Sequence, residues 1–354
     1  MKLSILYLLG SLSTGSAFPQ NISVIRDDSK SRTQSQTNQH CDCYKVSGPE
    51  PGYFQHYKLW DFRQVLIPTL KSDKDKDKTQ WESDSNEPFG YNTLLFSESS
   101  FTDDWHVQTW ARGSTNQAPV PLVNSEENVF FSRNPHDPAM TFLVLQAIRQ
   151  KGHASTAELE NSHDNIYHCS LRVRLRIMSK DSTINANTEN STPRVPRGAC
   201  AGIFTYRSET CESDIEILTS DPPNMVRYTN QPNWDPATDS TIPESHTVGN
   251  LSVPWTSWVT HRLDWFENRT YWYADDGLQA SKSYKVPDKP SLVALNVWSD
   301  GGPWSGDMRV GDVVYMGIEW IELAYNLSSG ISSGKDSHNK NYACRRSCQL
   351  NRLH

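Results

Sequence analysis

The chain of 354 residues lacks several features that would indicate particular classes of protein. It has no block of basic residues and a formal net charge of −7, which argues against nucleic acid as a partner. Beyond the first residues, no segment is apolar enough to span a bilayer. A G-x-S-x-G motif is missing, so nothing supports a serine hydrolase of that type. Amphipathic helical patterns are also scarce, which disfavours an α-helical fold.

Metal-binding spacings are missing as well. The 11 histidines form no H-x-H or H-x-x-x-H pair with an acidic partner at a sensible spacing. The cysteine pairs in CDC (41–43) and CRRSC (344–348) lack the histidines of a zinc site. We therefore expect no metal ligands and no cofactor, and we leave a structural calcium open because no clear all-oxygen loop is present.

The first residues, MKLSILYLLGSLSTGSA, combine an early lysine, an apolar stretch and small residues up to Ala17. This pattern is typical of a secretory signal peptide, so we expect residues 1–17 to be one and the protein to be secreted and extracellular. Residues 18–40 are polar and predict a flexible lead. The C-terminus is polar and resembles no GPI-type signal, so we expect no membrane partner. Five sequons predict exposed, glycosylated positions: Asn21, Asn190, Asn250, Asn268 and Asn326.

Seven cysteines in a secreted chain predict disulfides, with one cysteine left free or paired between chains. Cys41 and Cys43 lie near one end of the mature chain, and Cys344 and Cys348 lie near the other. We therefore predict that these cysteines link the two termini, although the sequence does not define which cysteine pairs with which.

Hydrophobic residues recur mainly with a period of two. In 168–178, Leu171, Val173, Leu175 and Ile177 alternate with polar residues, which predicts a strand with one buried face. Further strands are predicted at 142–148, 291–298 and 314–325, and a hairpin at 259–273 with its turn near 267–268. Loops are expected at 71–86, 181–198 and 327–340. The pattern predicts an all-β sandwich or barrel over 41–326, followed by a Ser/Gly linker and a cysteine-containing tail over 327–354.

Residues 211–218 (CESDIEIL) place three carboxylates on alternate positions. In a strand, Glu212, Asp214 and Glu216 would share one face, and Ser213, Ile215 and Ile217 the other. The two glutamate α-carbons would lie ~13 Å apart, and side chains leaning together would bring their carboxyls to ~5 Å, the separation of a retaining glycosidase. A solvated acidic strand face is the alternative interpretation, although crowding would raise the pKa of one carboxyl, as a general acid requires.

The segment E-S-D-I-E-I resembles the E-x-D-x-E signature of glycoside hydrolase family sixteen, the lichenases, laminarinases and wall transglycosylases. The likeness extends to HRLDWFENRTYWYADDG (261–277) and ALNVWSDGG (294–302), and 41–110 resembles a fungal subgroup of secreted members. It implies a concanavalin A-like β jelly roll with a concave substrate groove. It also implies that Glu212 is the nucleophile, Glu216 the acid/base and Asp214 the residue that tunes both. Ser213 departs from the apolar residue that is commoner there, but it faces away from the groove.

Sugar rings stack on flat aromatic side chains, and amides can bind their hydroxyls. Trp298 and Trp304 flank the Gly-rich turn SDGGP, and Trp110 precedes a loop where it would cap one end of the groove. We expect the remaining candidates to lie along the groove: Tyr228, Asn230, Gln231, His246 and Asn296. A structural role is an equal alternative for His246. Four other tryptophans are expected to fill the core: Trp60, Trp265, Trp272 and Trp320.

These features favour a secreted, monomeric endo-β-glucanase that hydrolyses β-1,3 or mixed β-1,3/1,4-glucan with retention and needs no cofactor. A cell-wall transglycosylase of the same family is one alternative, because it would use the same residues with a sugar hydroxyl in place of water. A non-catalytic lectin of the same fold is another, although pure binding does not need two opposed carboxylates. Linkage specificity and biological role lie beyond the sequence.

Overall fold

The computed structural model describes residues 41–68, 93–134, 137, 139–180, 194–328 and 344–350. Several sequence predictions lie outside this range: the signal peptide, the polar lead, the loop at 71–86, most of the loops at 181–198 and 327–340, and sequons Asn21 and Asn190. Of the remaining sequons, Asn250 and Asn268 are exposed and Asn326 is partly buried. No helix among the described residues has the length and apolarity to cross a membrane.

The described chain is built almost entirely of β-strands, with three short 3₁₀ turns at Phe96–Glu98, Ser100–Asp103 and Glu126–Asn128. The strands are β1 Cys43–Val46, β2 Gly52–Phe54, β3 His56–Asp61, β4 Thr93–Leu95, β5 Trp105–Val107, β6 Ala111–Arg112, β7 Leu122–Asn124, β8 Val129–Arg133, β9 Thr141–Gln150, β10 His153–Asn161, β11 Ile166–Ser179, β12 Cys200–Ser208, β13 Cys211–Leu218, β14 Met225–Asn230, β15 Trp234–Asp235, β16 Ser240–Thr241, β17 His246–Asn250, β18 Val259–Trp265, β19 Thr270–Ala274, β20 Gly277–Lys282, β21 Leu292–Trp298, β22 Val313–Leu327 and β23 Ser347–Gln349.

The predicted strands are confirmed. β11 covers 168–178, β9 covers 142–148, and β21 and β22 match the predictions at 291–298 and 314–325 within one or two residues. β18 and β19 form the predicted hairpin, with Trp265 paired to Thr270 across its turn. Leu171, Val173, Leu175 and Ile177 are at most 1% exposed, as their spacing predicts. The alternating pattern was therefore a reliable guide to these strands.

Two sheets pack face to face. The first, called here the groove sheet, has the antiparallel order β5-β10-β21-β12-β13-β14-β17. The second, the outer sheet, has the order β4-β8-β9-β22-β11-β18-β19-β20, with β3 alongside the second half of β22. β10 joins both sheets, because its first half pairs with β9 and its second half with β5 and β21. The fold is the predicted β jelly-roll sandwich.

The core lies between the two sheets. Ile203 and Ile215 of the groove sheet face Leu171 and Leu323 of the outer sheet within one continuous cluster. All four tryptophans predicted to be internal are at most 4% exposed: Trp60, Trp265, Trp272 and Trp320. A large apolar core of this kind fixes the backbone of the groove sheet, on which the carboxylate strand lies.

A third, small sheet joins the two ends of the described chain. This terminal sheet consists of β1, β2 and β23, with β1 antiparallel to β2 and parallel to β23. Its Val46, Phe54 and Leu350 pack on Phe266 and Tyr273 of the outer sheet's hairpin. Arg172 and Glu322 of the outer sheet form an ion pair that is almost fully buried. The alternating pattern of β11 predicted one polar face. At Arg172 this face is buried.

Two disulfides fasten the terminal sheet: Cys41–Cys348 and Cys43–Cys344. This confirms that the cysteines link the termini. The expectation that all cysteines but one would be paired is wrong, since Cys169, Cys200 and Cys211 are buried free thiols. Cys169 lies in the hydrophobic core, Cys200 contacts Glu216, and Cys211 contacts Asp288. The three thiols lie at different places in the fold, so none of them forms a disulfide with another.

Candidate active site

A groove with a volume of about 380 Å³ lies on the side of the groove sheet that faces away from the core. Its walls combine acidic, aromatic and amide side chains. The lining residues are Trp110, Glu158, Glu160, Asp164, Gly202, Phe204, Tyr206, Arg207, Glu209, Glu212, Asp214, Glu216, Gln231, Asn233, Leu292, Asn296, Trp298 and Trp304.

Strand β13 places the predicted catalytic trio in this groove. Glu212, Asp214 and Glu216 line it on alternate positions, while Ile215 and Ile217 are 2% exposed and pack in the core. Ser213 also faces inward, and its hydroxyl donates to Asn230 Oδ1 at 2.7 Å. The period of two therefore separates a reactive face from an apolar face on one short strand.

Burial and crowding raise the pKa of the carboxyls of the trio. Burial raises the pKa of Glu212 well above its usual range, and the neighbouring Asp214 adds to the effect. Burial and the charge of Glu216 raise the pKa of Asp214 to about 8, although Gln231 donates to Asp214 Oδ2 at 2.9 Å. Glu212 and Asp214 are close enough to hydrogen-bond, so one proton is shared between them. The nucleophilic role requires the shared proton to lie on Asp214, because Glu212 can attack only when it is ionised.

Glu216 has different partners. Burial raises its pKa, and hydrogen bonds from Trp304 and Cys200 together with the charge of Arg227 oppose that rise. Trp304 Nε1 donates to Glu216 Oε1 at 3.0 Å, and the Cys200 thiol donates to the same oxygen at 3.4 Å. The Arg227 guanidinium lies over the Trp304 ring at 5.0 Å from its centroid. These contacts fix one carboxyl oxygen and leave the other for a ligand.

Strand pairing builds the floor of the groove. Glu158, Asn296, Gly202, Glu216 and Arg227 occupy one row across β10, β21, β12, β13 and β14. Directly paired residues of neighbouring strands point to the same face of a sheet. Gly202 has no side chain in this row, and a β-carbon there would lie 2.8 Å from Asn296 Oδ1. The glycine therefore leaves open space between Asn296 and Glu216.

Glu158 and Glu160 of β10 form a second carboxyl pair in the groove, called here the distal pair. Glu158 accepts hydrogen bonds from Trp110 Nε1 at 2.9 Å and from Asn296 Nδ2 at 3.3 Å. Gln108 Nε2 donates to Glu160 Oε2 at 2.9 Å. Burial raises the pKa of both carboxyls, and the neighbouring Glu158 contributes to a pKa of about 7 for Glu160. The two carboxyls also hydrogen-bond each other, so burial and crowding hold a proton between them on one strand.

The structure places five of the predicted substrate-binding residues in the groove: Trp110, Gln231, Asn296, Trp298 and Trp304. Trp110 and Trp304 each donate to a groove carboxylate, and Gln231 holds Asp214. Trp298 packs with Trp110 against the small cluster formed by Val120, Leu122 and Ala154. These contacts orient the side chains before any ligand is bound.

Three predicted substrate-binding residues lie outside the groove. Tyr228 is fully buried in the core, where its ring packs near Trp272, because it pairs with Ile215 and not with a carboxylate. Asn230 is equally buried and donates to the Tyr284 carbonyl at 2.9 Å. His246 pairs with Thr229, which in turn pairs with Asp214, so it lies in the row of the aspartate but not among the groove-lining residues. On β14, Arg227 and Thr229 pair with the trio, so the interpretations of Tyr228 and Asn230 are wrong, while that of His246 stays a prediction.

The distal pair was not among the site residues predicted from the sequence. Its signal is the same as that of the catalytic strand, since Glu158 and Glu160 alternate with Ala157 and Leu159, which are both buried. Phe204 and Tyr206 on β12 were also missed, and they lie opposite Asp214 and Glu212. Only the strand order reveals these two, because β12 precedes the motif in sequence and pairs with it in space.

Comparisons with known proteins point to β-glucanases, while no family model matches the chain. It is 26% identical over 144 residues to a β-glucanase of Paenibacillus polymyxa, covering 38% of this chain and 56% of that protein. It is 25% identical over 142 residues to a β-glucanase of Bacillus licheniformis, covering 37% and 54%. The chain therefore spans about half the length of the curated relatives it matches.

Solved structures with similar coordinates include two glucan hydrolases. The Bacillus licheniformis β-glucanase is 18% identical with a TM-score of 0.47, covering 66% of this chain and 96% of that one. The laminarinase catalytic domain of Thermotoga maritima is 17% identical with a TM-score of 0.47, covering 66% and 96%. The chain is therefore similar in sequence to β-glucanases over part of its length, and its groove carries the strand that resembles the signature of glycoside hydrolase family sixteen.

Proposed function

We propose that the protein is a secreted, retaining endo-β-glucanase that hydrolyses β-1,3 or mixed β-1,3/1,4-glucan. The observation that carries this proposal is the catalytic strand, on which two glutamates flank a buried aspartate in an elongated groove. The sequence similarity to β-glucanases supports the substrate class. The tryptophans that line the groove, Trp110, Trp298 and Trp304, provide flat apolar surfaces for sugar rings.

The reaction would take place in two steps. Glu216 donates its proton to the glycosidic oxygen while Glu212 attacks the anomeric carbon, so that one C–O bond breaks and a glycosyl ester forms. Glu216, now ionised, then removes a proton from water, and the hydroxide displaces Glu212. For this step Asp214 takes up the proton that it shares with Glu212, so that Glu212 is ionised for its attack. Both carboxylates return to their starting states.

The test uses purified full-length protein with barley mixed-linkage β-glucan, laminarin and chitin oligomers, each with and without a labelled acceptor oligosaccharide. We expect shortened products from one of the glucans and none from Glu212→Gln. Acceptor-extended products would instead indicate a transglycosylase. Binding to glucan without any turnover, unchanged in Glu212→Gln, would indicate a lectin and would contradict the proposal.

The two glutamate roles can be separated with azide. In Glu212→Ala, azide would enter the space of the missing carboxylate and yield a glycosyl azide of inverted configuration from an activated substrate. In Glu216→Ala, azide would attack the glycosyl ester and yield a product of retained configuration. The same configuration from both variants would contradict the assignment of roles.

Secretion is part of the proposal, because two disulfides join the ends of the described chain and such bonds persist in oxidising compartments. Expression of the full chain in a secreting host should release it to the medium with a mature N-terminus at Phe18. Retention of the protein in the cytosol with an intact N-terminus would contradict this part.

A further inference from the structure

The distal pair has the geometry of a binding site for a ligand rather than of an internal ion pair. Glu158 is 8% exposed, and its two carboxyl oxygens are held by Trp110 and Asn296. Glu160 is held by Gln108. All three of these partners are neutral donors, and the two glutamates also hydrogen-bond each other, so these contacts orient the carboxyls without supplying a cation. Among the described residues, no cation contributes to the pKa of either glutamate.

The groove as a whole is rich in acceptors and poor in cations. Among the described residues that line it, the single basic side chain is Arg207, which is exposed. Seven carboxyl groups line the same groove: Glu158, Glu160, Asp164, Glu209, Glu212, Asp214 and Glu216. Such a surface favours a donor-rich, positively charged ligand over one that carries hydroxyls alone.

One acceptor beside the distal pair lacks a donor in the part of the chain that the structure describes. Asn296 must turn its NH₂ group toward the Glu158 carboxylate, and its own Oδ1 is then left without a partner. An unpaired buried acceptor is costly, so this oxygen favours a ligand that brings an N–H or O–H donor.

We propose that the distal pair binds an amino sugar, a hexosamine unit with a free ammonium group, within a β-linked glycan that lies in the groove. An ammonium supplies three donors and the positive charge that the pair lacks. A glucose hydroxyl supplies a donor without the charge, and an N-acetyl group removes the charge. This inference rests on the proposed function, because it assigns a substrate feature to the same groove.

The position of the pair separates its role from the bond-breaking step. Glu158 and Glu216 lie in one row with β21 and β12 between their strands. Three strand spacings separate them by about 14 Å, which is too far for both to contact one sugar ring. The distal pair therefore selects a sugar unit away from the bond that is cleaved, and it acts on specificity. The raised pKa of about 7 for Glu160 agrees with a charge that has no cation beside it in the free protein.

The experiment compares two ligands of equal length by calorimetry, a tetramer of β-1,4-linked glucosamine and cellotetraose. Full-length Glu212→Gln keeps both ligands intact during the measurement. At neutral pH, where a pKa of about 7 leaves a large part of Glu160 ionised, we expect the glucosamine tetramer to bind about tenfold more tightly, in line with a charge-assisted hydrogen bond. N-acetylation of the tetramer and Glu160→Gln in the Glu212→Gln background should each abolish the preference.

Glu209→Gln is the matched control, because it removes one charge from the exposed rim of the groove, where solvent screens it. It should change the preference less than twofold. Equal affinity for the two tetramers, or a preference that survives Glu160→Gln, would overturn the inference. Glutamine is close in shape to glutamate, and an unchanged far-ultraviolet spectrum would show that the variant is folded.

The outcomes for this inference and for the proposed function are distinguishable. Hydrolysis of neutral glucan without any amino-sugar preference would support the proposed glucanase activity and contradict the amino-sugar site. A preference that depends on Glu160, without hydrolysis of any glucan by the wild type, would support the amino-sugar site and contradict the proposed glucanase activity.

Discussion

At the scale of single residues, Cys200 is a feature that a sugar-cleaving groove does not require. Its thiol is fully buried and donates to Glu216 Oε1, the oxygen that also accepts from Trp304. Burial, together with the charge of Glu216, raises the pKa of the thiol well above its usual range, so Cys200 stays protonated. It therefore acts as a hydrogen-bond donor that positions the proposed acid/base.

Replacing Cys200 should shift the basic limb of the pH–rate profile. Alanine removes a donor to the Glu216 carboxylate and should raise the pKa of Glu216, whereas serine is a stronger donor and should lower it. A hydrogen bond worth about 1 kcal/mol corresponds to about 0.7 of a pKa unit. The measurement is kcat/KM against pH for Cys200→Ala and Cys200→Ser. Cys169→Ser in the core is the control, and identical limbs in all four proteins would refute the role.

Glu160 predicts a specific dependence of stability on pH. Its folded pKa of about 7 lies above the ordinary 4.5, so the folded protein binds a proton that the unfolded chain has lost. Its contribution is therefore unfavourable above pH 4.5 and becomes fully so as the pH rises through about 7. Glu160→Gln should match the wild type in thermal melting below pH 4.5 and exceed it above pH 7. Glu209→Gln should show no such crossover, and parallel melting curves for Glu160→Gln would contradict the shift.

The position of the trio in the groove could be predicted from sequence, because alternate spacing on one strand determines which side chains share a face. The positions of Tyr228 and Asn230 could not, since their facing depends on the register of β14 against β13. Once Arg227 is known to pair with Glu216, the same rule places Tyr228 in the core. Sequence periodicity shows which residues of one strand share a face. Only the pairing with the neighbouring strand shows which of the two faces points into the groove.

At the scale of elements, a row of paired residues crosses five strands of the groove sheet from Glu158 to Arg227. The side chains at the centre of this row are tightly packed around Gly202. Gly202 lies between Asn296 and Glu216 on neighbouring strands, and an added β-carbon would press on Asn296 Oδ1 at 2.8 Å. Asn296 in turn holds Glu158. A methyl group at position 202 would therefore disturb the floor and the distal pair together.

Gly202→Ala should raise KM for glucan roughly fivefold, the equivalent of about 1 kcal/mol of overpacking. We expect kcat to change less, because the hydrogen bond that Asn296 donates goes to Glu158 of the distal pair. Gly113→Ala is the matched control, since a β-carbon there meets no atom within 4 Å. Steady-state kinetics of both variants checks the prediction, and equal KM values would show that the floor yields without cost.

Sequence patterns identified β9, β11, β21 and β22, whose apolar residues recur with the right period over many positions. They did not predict that the polar face of β11 is covered at Arg172. The cover comes from β1, β2 and β23, segments at opposite ends of the chain whose docking leaves no mark on β11 itself. Long-range pairing of this kind is determined by the whole fold and not by any local stretch.

At the scale of the whole molecule, two disulfides close nearly the same loop. Once Cys41–Cys348 is formed, with a sequence separation of 307, Cys43–Cys344 adds little constraint to the unfolded chain. Replacing either pair with serine should lower the free energy of unfolding by about 1 kcal/mol, and replacing both pairs by about 4 kcal/mol. Denaturant titration measures this, and additive losses from the two pairs would contradict the shared-loop account.

The same variants should retain glucan hydrolysis when they are folded. The terminal sheet packs on Phe266 and Tyr273 of the outer sheet, and the groove lies on the far side of the sandwich. A loss of kcat in the variant that lacks both disulfides, at a temperature where it is fully folded, would show that the terminal sheet influences the groove.

The terminal sheet also determines how the molecule carries mechanical load. Tension applied to the two ends of the chain passes from Cys41 to Cys348 through the disulfide and the adjoining strands, so it bypasses both large sheets. The sandwich between these cysteines is a covalently closed ring. A single break in the backbone within that ring would leave the two fragments attached to each other, with the groove still supported by both sheets.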